Sequence, residues 1–231
     1  MIVDYNKLEK IKNTKFTKTI PDRDKKIINN IENSYFGEFV KTNNIDSPPM
    51  NDSLKTRIEL QYLSELPENR EFVEKYDDGK KVFMDFLSDV NEKVNEVVID
   101  TLIEESSRVT MFYKYFFNRP RPKQLAKLYN IDLGDIVELD TMNTPAYPSG
   151  HSTQSILLAN VLSDSFPKYE KELKKIGKKI SYSRQIGRAH YPSDSKAGEK
   201  LGLQLYKEYI KNQNVDWNKQ LLLCTICNGI L

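Results

Sequence analysis

Apolar residues recur along this chain at intervals of three and four, and the strict alternation of a half-buried strand is scarce, so the pattern predicts a predominantly helical protein. Asn51-Asp52-Ser53 supplies capping oxygens ahead of LKTRIELQYLSEL and marks a helix start. From about Gly79 to Asn118, a stripe of Val82, Phe86, Val90, Val94 and Val98 predicts one long helix or two abutting ones, ended by Pro120 and Pro122. A loop containing Gly134 and Pro145 leads to a further amphipathic run, in which Ile156, Leu157, Val161 and Leu162 face one side. Pro167 opens the next helix, with Tyr169, Leu173, Ile176 and Ile180 on one face. Two more helix-like stretches follow, from about Ser195 to Lys211 and from Asp216 to the end. The aromatics Tyr113, Phe116, Phe117 and Tyr147 read as core. The architecture these elements predict is an all-α bundle.

A length of 231 residues suits a single domain, 1–231, in which a polar extension rich in Lys and Asn (1–45) precedes a helical core from about residue 46 onward. Lys and Arg number 35 against 33 Asp and Glu, a net charge of +2, so no global field draws the protein to nucleic acid. The longest apolar run, around Leu221-Leu222-Leu223-Cys224, falls far short of the roughly 20 residues a bilayer span requires, so no transmembrane anchor is expected. The opening MIVDYNKLEKIKNTK lacks the uninterrupted apolar segment of a secretory signal, which predicts a cytoplasmic or otherwise non-secreted location. Cys224 and Cys227 form a C-x-x-C, but both histidines are committed elsewhere and no βαβ pattern surrounds it. They read as small apolar residues of a terminal helix, and no metal site is expected.

Three separated segments carry candidate chemistry. In Lys114-Tyr-Phe-Phe-Asn-Arg-Pro-Arg121-Pro122, two cations seven residues apart return to nearly the same face of an ideal helix, so that their long side chains can converge on one anion. Taken alone, the segment reads more readily as a solvated basic helix end. Spacing does not say whether Arg119 or Arg121 points inward. In Pro148-Ser149-Gly150-His151, the start of a helix offers outward N–H groups, Gly150 permits close approach of a phosphate, Ser149 adds a hydroxyl, and His151 stands where it can protonate a departing oxygen. A turn with a capping serine and an incidental histidine would use the same letters. In Ser183-Arg184-Gln-Ile-Gly-Arg-Ala-His190-Tyr-Pro-Ser-Asp194, a carboxylate four residues after a histidine can accept its second ring proton, freeing the other nitrogen to attack phosphorus, and Arg184 adds an oxyanion contact. Asp194 also suits a helix cap, and Arg188 reads as solvated.

The combination is more specific than its parts. Lys114-x6-Arg121-Pro122, PSGH at 148–151 and Ser183-Arg184-x5-His190-x3-Asp194 resemble the three-part signature of the phosphatidic acid phosphatase type 2 superfamily. That group includes class A bacterial acid phosphatases, membrane lipid phosphatases and vanadium-dependent haloperoxidases. The resemblance spans residues 114 to 194 and implies an all-α bundle of the acid phosphatase and vanadium haloperoxidase type. It implies His190 as a nucleophile forming a phosphohistidine, Asp194 as its orienting group and His151 as general acid and base. Lys114, Arg121 and Arg184 would hold the non-bridging oxygens, with Ser149 and Gly150 completing the cradle. A small-molecule phosphate ester is then the expected partner, hydrolysed without metal or cofactor. The alternative that the same resemblance carries is a haloperoxidase binding vanadate in that pocket. A third reading is a helical protein that binds phosphate without turnover.

Overall fold

The structure is a computed structural model that describes residues 5–228, the side chains of 140 and 214–228 excepted. Among the described residues the architecture is all-α, as the sequence predicts: α1 (Tyr5–Asn13), α2 (Asp22–Asn29), α3 (Gly37–Thr42), α4 (Leu54–Glu65), α5 (Arg70–Lys75), α6 (Gly79–Asp89), α7 (Glu96–Phe117), α8 (Pro122–Tyr129), α9 (Gly150–Ser165), α10 (Glu170–Ile186) and α11 (Pro192–Asn228). No helix among them is long and apolar enough to cross a membrane.

The local signals explain most boundaries. Ser53 caps α4 by accepting from Thr56 N at 3.2 Å. The long apolar stretch resolves into two helices, α6 and α7, because the chain turns at Asn91 in a left-handed conformation. Its inward face is also displaced from the predicted stripe. Phe83, Leu87, Ile99 and Leu102 are buried, whereas Val98 is exposed. Each four-residue step overshoots a full turn by about 40°, so an unbroken i+4 series walks off the core face. α7 ends at Asn118, also left-handed, before Pro120. Pro167 opens a short 3-10 turn that leads into α10. The two stretches expected after Ser195 form one helix, α11, since nothing between them breaks it. Cys224 and Cys227 fall in its last turns, where side chains lie outside the described residues.

The centre of the molecule is α9, packed against α10 on one side and α11 on the other, with α7 across it. α9 is buried on most sides, enclosing Ile156, Leu157, Leu158, Val161 and Leu162 together with Ser152, Thr153 and Ser155. α11 approaches it so closely that a Cβ at Gly198 would stand 2.4 Å from Ser149 O, and one at Gly202 2.3 Å from Thr153 O. A line of buried hydroxyls adds a polar seam. Ser181 of α10 donates to Ser152 at 2.9 Å, and Ser152 donates to Ser149 at 2.9 Å.

The polar N-terminal stretch wraps rather than frays. Ile31, Phe36 and Phe39 join Leu102, Val109 and Tyr113 in the main core, and α2 lies along α7, where Tyr115 Oη donates to Asp24 at 2.5 Å. Of the four aromatics read as core, Tyr113 and Tyr147 are buried and Phe117 is half-buried against the core, while Phe116 is 72% exposed on the outer face of α7.

Replacing Gly202 with alanine is expected to destabilise the protein by about 1–3 kcal/mol despite alanine's better helix propensity. Chemical denaturation should show it, with Leu203→Ala on the outer face as a control shifting stability by less than about 0.5 kcal/mol. Equal effects would contradict the close α9–α11 approach.

Candidate active site

Each motif sits at a helix end, and the fold turns those ends toward one cavity of about 650 Å³, lined by Lys114, Gly150, His151 and His190. Lys114 comes from the last turn of α7, Gly150 and His151 from the first turn of α9, and His190 from the turn between α10 and α11. Thr110, Met111, Thr141, Asn143, Thr144 and Gln154 complete much of the wall.

Lys114 and Arg121 do not share a helix face as the spacing suggested. α7 ends between them and Arg121 stands at the N-cap of α8, so the turn at Asn118 to Pro120, not helical periodicity, brings them together. Both are almost fully buried, at 5% and 4% exposed. Lys114 Nζ donates to Pro145 O at 2.5 Å. The Arg121 guanidinium donates to the carbonyls of Thr144 and Ala189, each at 2.8 Å, and to Thr141 O at 3.2 Å. Its Nη1 also lies 3.0 Å from His190 Nε2. No carboxylate among the described side chains forms an ion pair with either cation. Burial therefore pushes Lys114 well below its ordinary value, helped by the like charge of Arg121. Burial likewise lowers Arg121, to about 10, against the opposing charge of Asp194 and with Arg184 adding repulsion.

His190 is neutral in these surroundings. Burial holds its pKa well below the ordinary imidazole value, and Arg121, Lys114, His151 and Arg184 push in the same direction. An arginine donates but cannot accept, so Nε2 faces Arg121 as an acceptor and the proton belongs on Nδ1. Nδ1 lies 3.4 Å from Asp194 Oδ2, within reach of the charge but without hydrogen-bond geometry.

Asp194 is itself held. Tyr191 N donates to its Oδ2 at 2.9 Å and Arg119 Nη1 to its Oδ1 at 2.5 Å. Burial raises its pKa, against the opposing pull of Arg119. The ambiguity between the two arginines resolves with both inside: Arg121 faces His190, and Arg119 backs Asp194. Arg119 stacks on the Tyr191 ring at 4.0 Å and reaches Glu59, 3.4 Å away. Glu59 in turn accepts from Ser193 N at 2.9 Å and Ser193 Oγ at 2.7 Å, fixing the first turn of α11.

His151 borders the cavity from the other side and also a second hollow of about 380 Å³ lined by Asp77, Lys80 and Phe83. Its Nε2 donates to Asp77 O at 2.9 Å and lies 3.5 Å from Asp77 Oδ1. Burial and Arg184 lower its pKa, while Asp77 favours the charged ring. Arg184 reaches Asp77 Oδ1 at 2.6 Å and lines neither hollow. Asp77, held by His151 and Arg184 against the cost of burial, has its pKa lowered to about 2. Ser149 is fully buried and off the cavity wall. It caps α9, accepting from Ser152 N at 3.3 Å. Gly150 is on the wall, where an added Cβ would lie 4.0 Å from Lys114 Cε. The first-turn amides of α9 lack intrahelical acceptors and give the wall a positive pole.

Arg188 is not solvated. It is 2% exposed, adopts a left-handed backbone at φ 55°, and donates to Leu66 O at 2.6 Å and Leu133 O at 3.1 Å, tying two loops to the His190 turn.

Asp77, Arg119 and Glu59 are the polar groups around the histidines that spacing did not single out. Asp77 had a weak signal as part of Asp77-Asp78-Gly79, which reads as helix capping. Glu59 had none, because it lies on α4 among other charged residues.

Two testable outcomes follow from this wiring. Removing Arg119 leaves Asp194 as an unpaired buried charge, so Arg119→Met should cost about 3–5 kcal/mol in urea unfolding; a loss under 1 kcal/mol would contradict the pairing. Both histidines have folded pKa values below those of the unfolded chain, so the unfolded state binds more protons and stability should fall as pH drops from 7 toward 5. Asp194, raised by burial, opposes this only nearer the carboxylate range. A double His151→Asn, His190→Asn variant should flatten that slope, and an unchanged slope would refute the assignment.

The chain is similar to two bacterial enzymes over 57 residues: it is 46% identical to a non-specific acid phosphatase of Salmonella typhi and 44% identical to one of Salmonella typhimurium. The match covers 25% of this chain and 23% of each relative, so the chain spans about a quarter of the length of these curated relatives. No family model matches. Among solved structures, a bacterial vanadium-dependent iodoperoxidase is similar with a TM-score of 0.45 and 14% identity, over 84% of this chain and 50% of that one. The acid phosphatase likeness, taken with three motifs drawn to one cavity, bears out the chain's resemblance to the phosphatidic acid phosphatase type 2 superfamily.

Proposed function

We propose that this protein is a phosphatase that hydrolyses phosphate monoesters through a covalent phosphohistidine on His190, without a metal ion. The observation that carries this reading is the pair Lys114 and Arg121, two buried cations with no described acid in contact, standing beside a neutral histidine whose Nε2 is an acceptor. A phosphate dianion supplies the missing negative charge and presents phosphorus to that nitrogen.

In the proposed reaction, His190 Nε2 attacks phosphorus and the bond from phosphorus to the ester oxygen breaks, leaving a phosphohistidine. His151 gives a proton to the departing oxygen, so an alcohol leaves. The neutral His151 then takes a proton from water as that water attacks phosphorus, the bond to Nε2 breaks, and inorganic phosphate is released. Lys114, Arg121 and the first-turn amides of α9 offset charge on the non-bridging oxygens, and Arg184 adds its field from behind His151. Asp194 and Arg119 keep the Nδ1 side of His190 facing a carboxylate, and Asp77 steadies His151 when it is charged. The acid phosphatase relatives support phosphate esters as the substrate class.

The test is hydrolysis of an aryl phosphate by chelator-treated protein. Activity should survive chelation, fall by about 10²–10⁴-fold in His151→Ala, vanish in His190→Ala and be blocked by orthovanadate. Absence of turnover by the wild type from acidic to neutral pH would overturn the proposal and bring vanadate-dependent halide oxidation forward.

A further inference from the structure

The cavity that holds the two histidines is too large for phosphate alone. At about 650 Å³ it falls in the range of roughly 300–1,000 Å³ typical of sites for whole small molecules, so the leaving group has a wall of its own. Part of that wall comes from the N-terminal stretch, through Arg23, Asp24 and Ile27 of α2. α2 is fixed there because Asp24 is buried and accepts from Tyr115 Oη on α7, the helix that also carries Lys114.

The charges on this side are unequal. Asp24 is the carboxylate among the lining residues, and its Oδ2 is occupied by Tyr115. Of the neighbouring charges of α2, Lys25 pairs with Asp22 at 2.8 Å, and Lys26 lies off the cavity wall. Arg23 is exposed at the cavity rim and forms no hydrogen bond or ion pair with any described residue. Apart from Arg23, Asp24, Lys114 and the histidines, the rest of the wall is uncharged, mixing polar groups such as Ser107, Thr141, Asn143 and Gln154 with the apolar Met111 and Ile27.

We propose that Arg23 recognises a second anionic group, a carboxylate or a further phosphate, on the leaving-group side of the phosphate ester. This rests on the phosphomonoesterase reading and narrows its substrate class. A planar guanidinium matches both anions in bidentate fashion. Arg23 is a specificity residue here, remote from the bond that breaks.

The experiment compares butyl phosphate, the phosphate ester of a four-carbon hydroxy acid and the bisphosphate of a four-carbon diol, using the full chain and its Arg23→Ala and Arg23→Lys variants. The wild type should prefer one or both esters bearing a second anion. In Arg23→Ala that preference, read as the ratio of kcat/KM to that for butyl phosphate, should fall by about 10- to 100-fold, mainly through KM, and Arg23→Lys should restore part of it. The ester that loses most identifies the anion. Raised salt should erode the wild-type preference more than that of the alanine variant. An unchanged ratio, or an equal loss on all three esters, would overturn the role of Arg23 while leaving the phosphatase reading standing. Failure of the wild type to hydrolyse butyl phosphate and both other esters would overturn both.

Discussion

Two positive charges buried beside one another, with no described acid to pair them, are the constraint around which this protein is arranged. Removing a charge from water carries an effective penalty of several kcal/mol per ion, and Lys114 and Arg121 meet it with backbone carbonyls and a histidine ring rather than a carboxylate. Carbonyls satisfy donors without cancelling charge. The result is a site that is hydrogen-bonded yet electrostatically incomplete, and an oxyanion is what completes it. Arg119, two residues before Arg121 in sequence, shows the contrasting solution. Although burial opposes its charge, Asp194, Tyr191 and Glu59 hold its pKa above the ordinary value, and it serves as scaffold.

The helical core keeps these charges in place. α9 is gripped by α10 and α11, with Gly198 against Ser149 O and a seam of serine hydroxyls running from α10 to the α9 start. One histidine opens α9 and the other precedes α11, so the packing of those helices also sets the relation between the two rings. The polar groups behind them are anchored to elements far away in the chain: Glu59 on α4 steadies the α11 turn, and Asp77 beyond α5 holds both His151 and Arg184. The N-terminal stretch belongs to the same arrangement, since α2 packs on α7 and closes one side of the cavity.

Much of this was legible in the sequence because helix ends announce themselves. Ser53, Pro120, Pro148-Ser149-Gly150 and Pro167 all mark observed boundaries, and the three motif segments converge as their chemistry suggested. Patterns that depend on exact phase were less legible. The valine stripe packs only at the edge of the core and leaves it at Val98, because its spacing exceeds the helical turn, and Lys114 and Arg121 meet through a chain reversal that periodicity does not encode. Arg188 looked like any surface cation, yet it is buried among carbonyls of loops whose approach is fixed only in three dimensions. Glu59, Asp77 and Arg119 were hidden for the same reason. Their roles come from partners 60 or more residues distant.

The most direct test of the electrostatic account is calorimetric titration of the metal-free protein with inorganic phosphate, comparing wild type with Arg121→Met. The account predicts one phosphate per chain in the wild type, with affinity at least about tenfold weaker in the variant. Equal affinity in the two proteins, or no binding to the wild type, would contradict the claim that the buried cations are poised for an oxyanion.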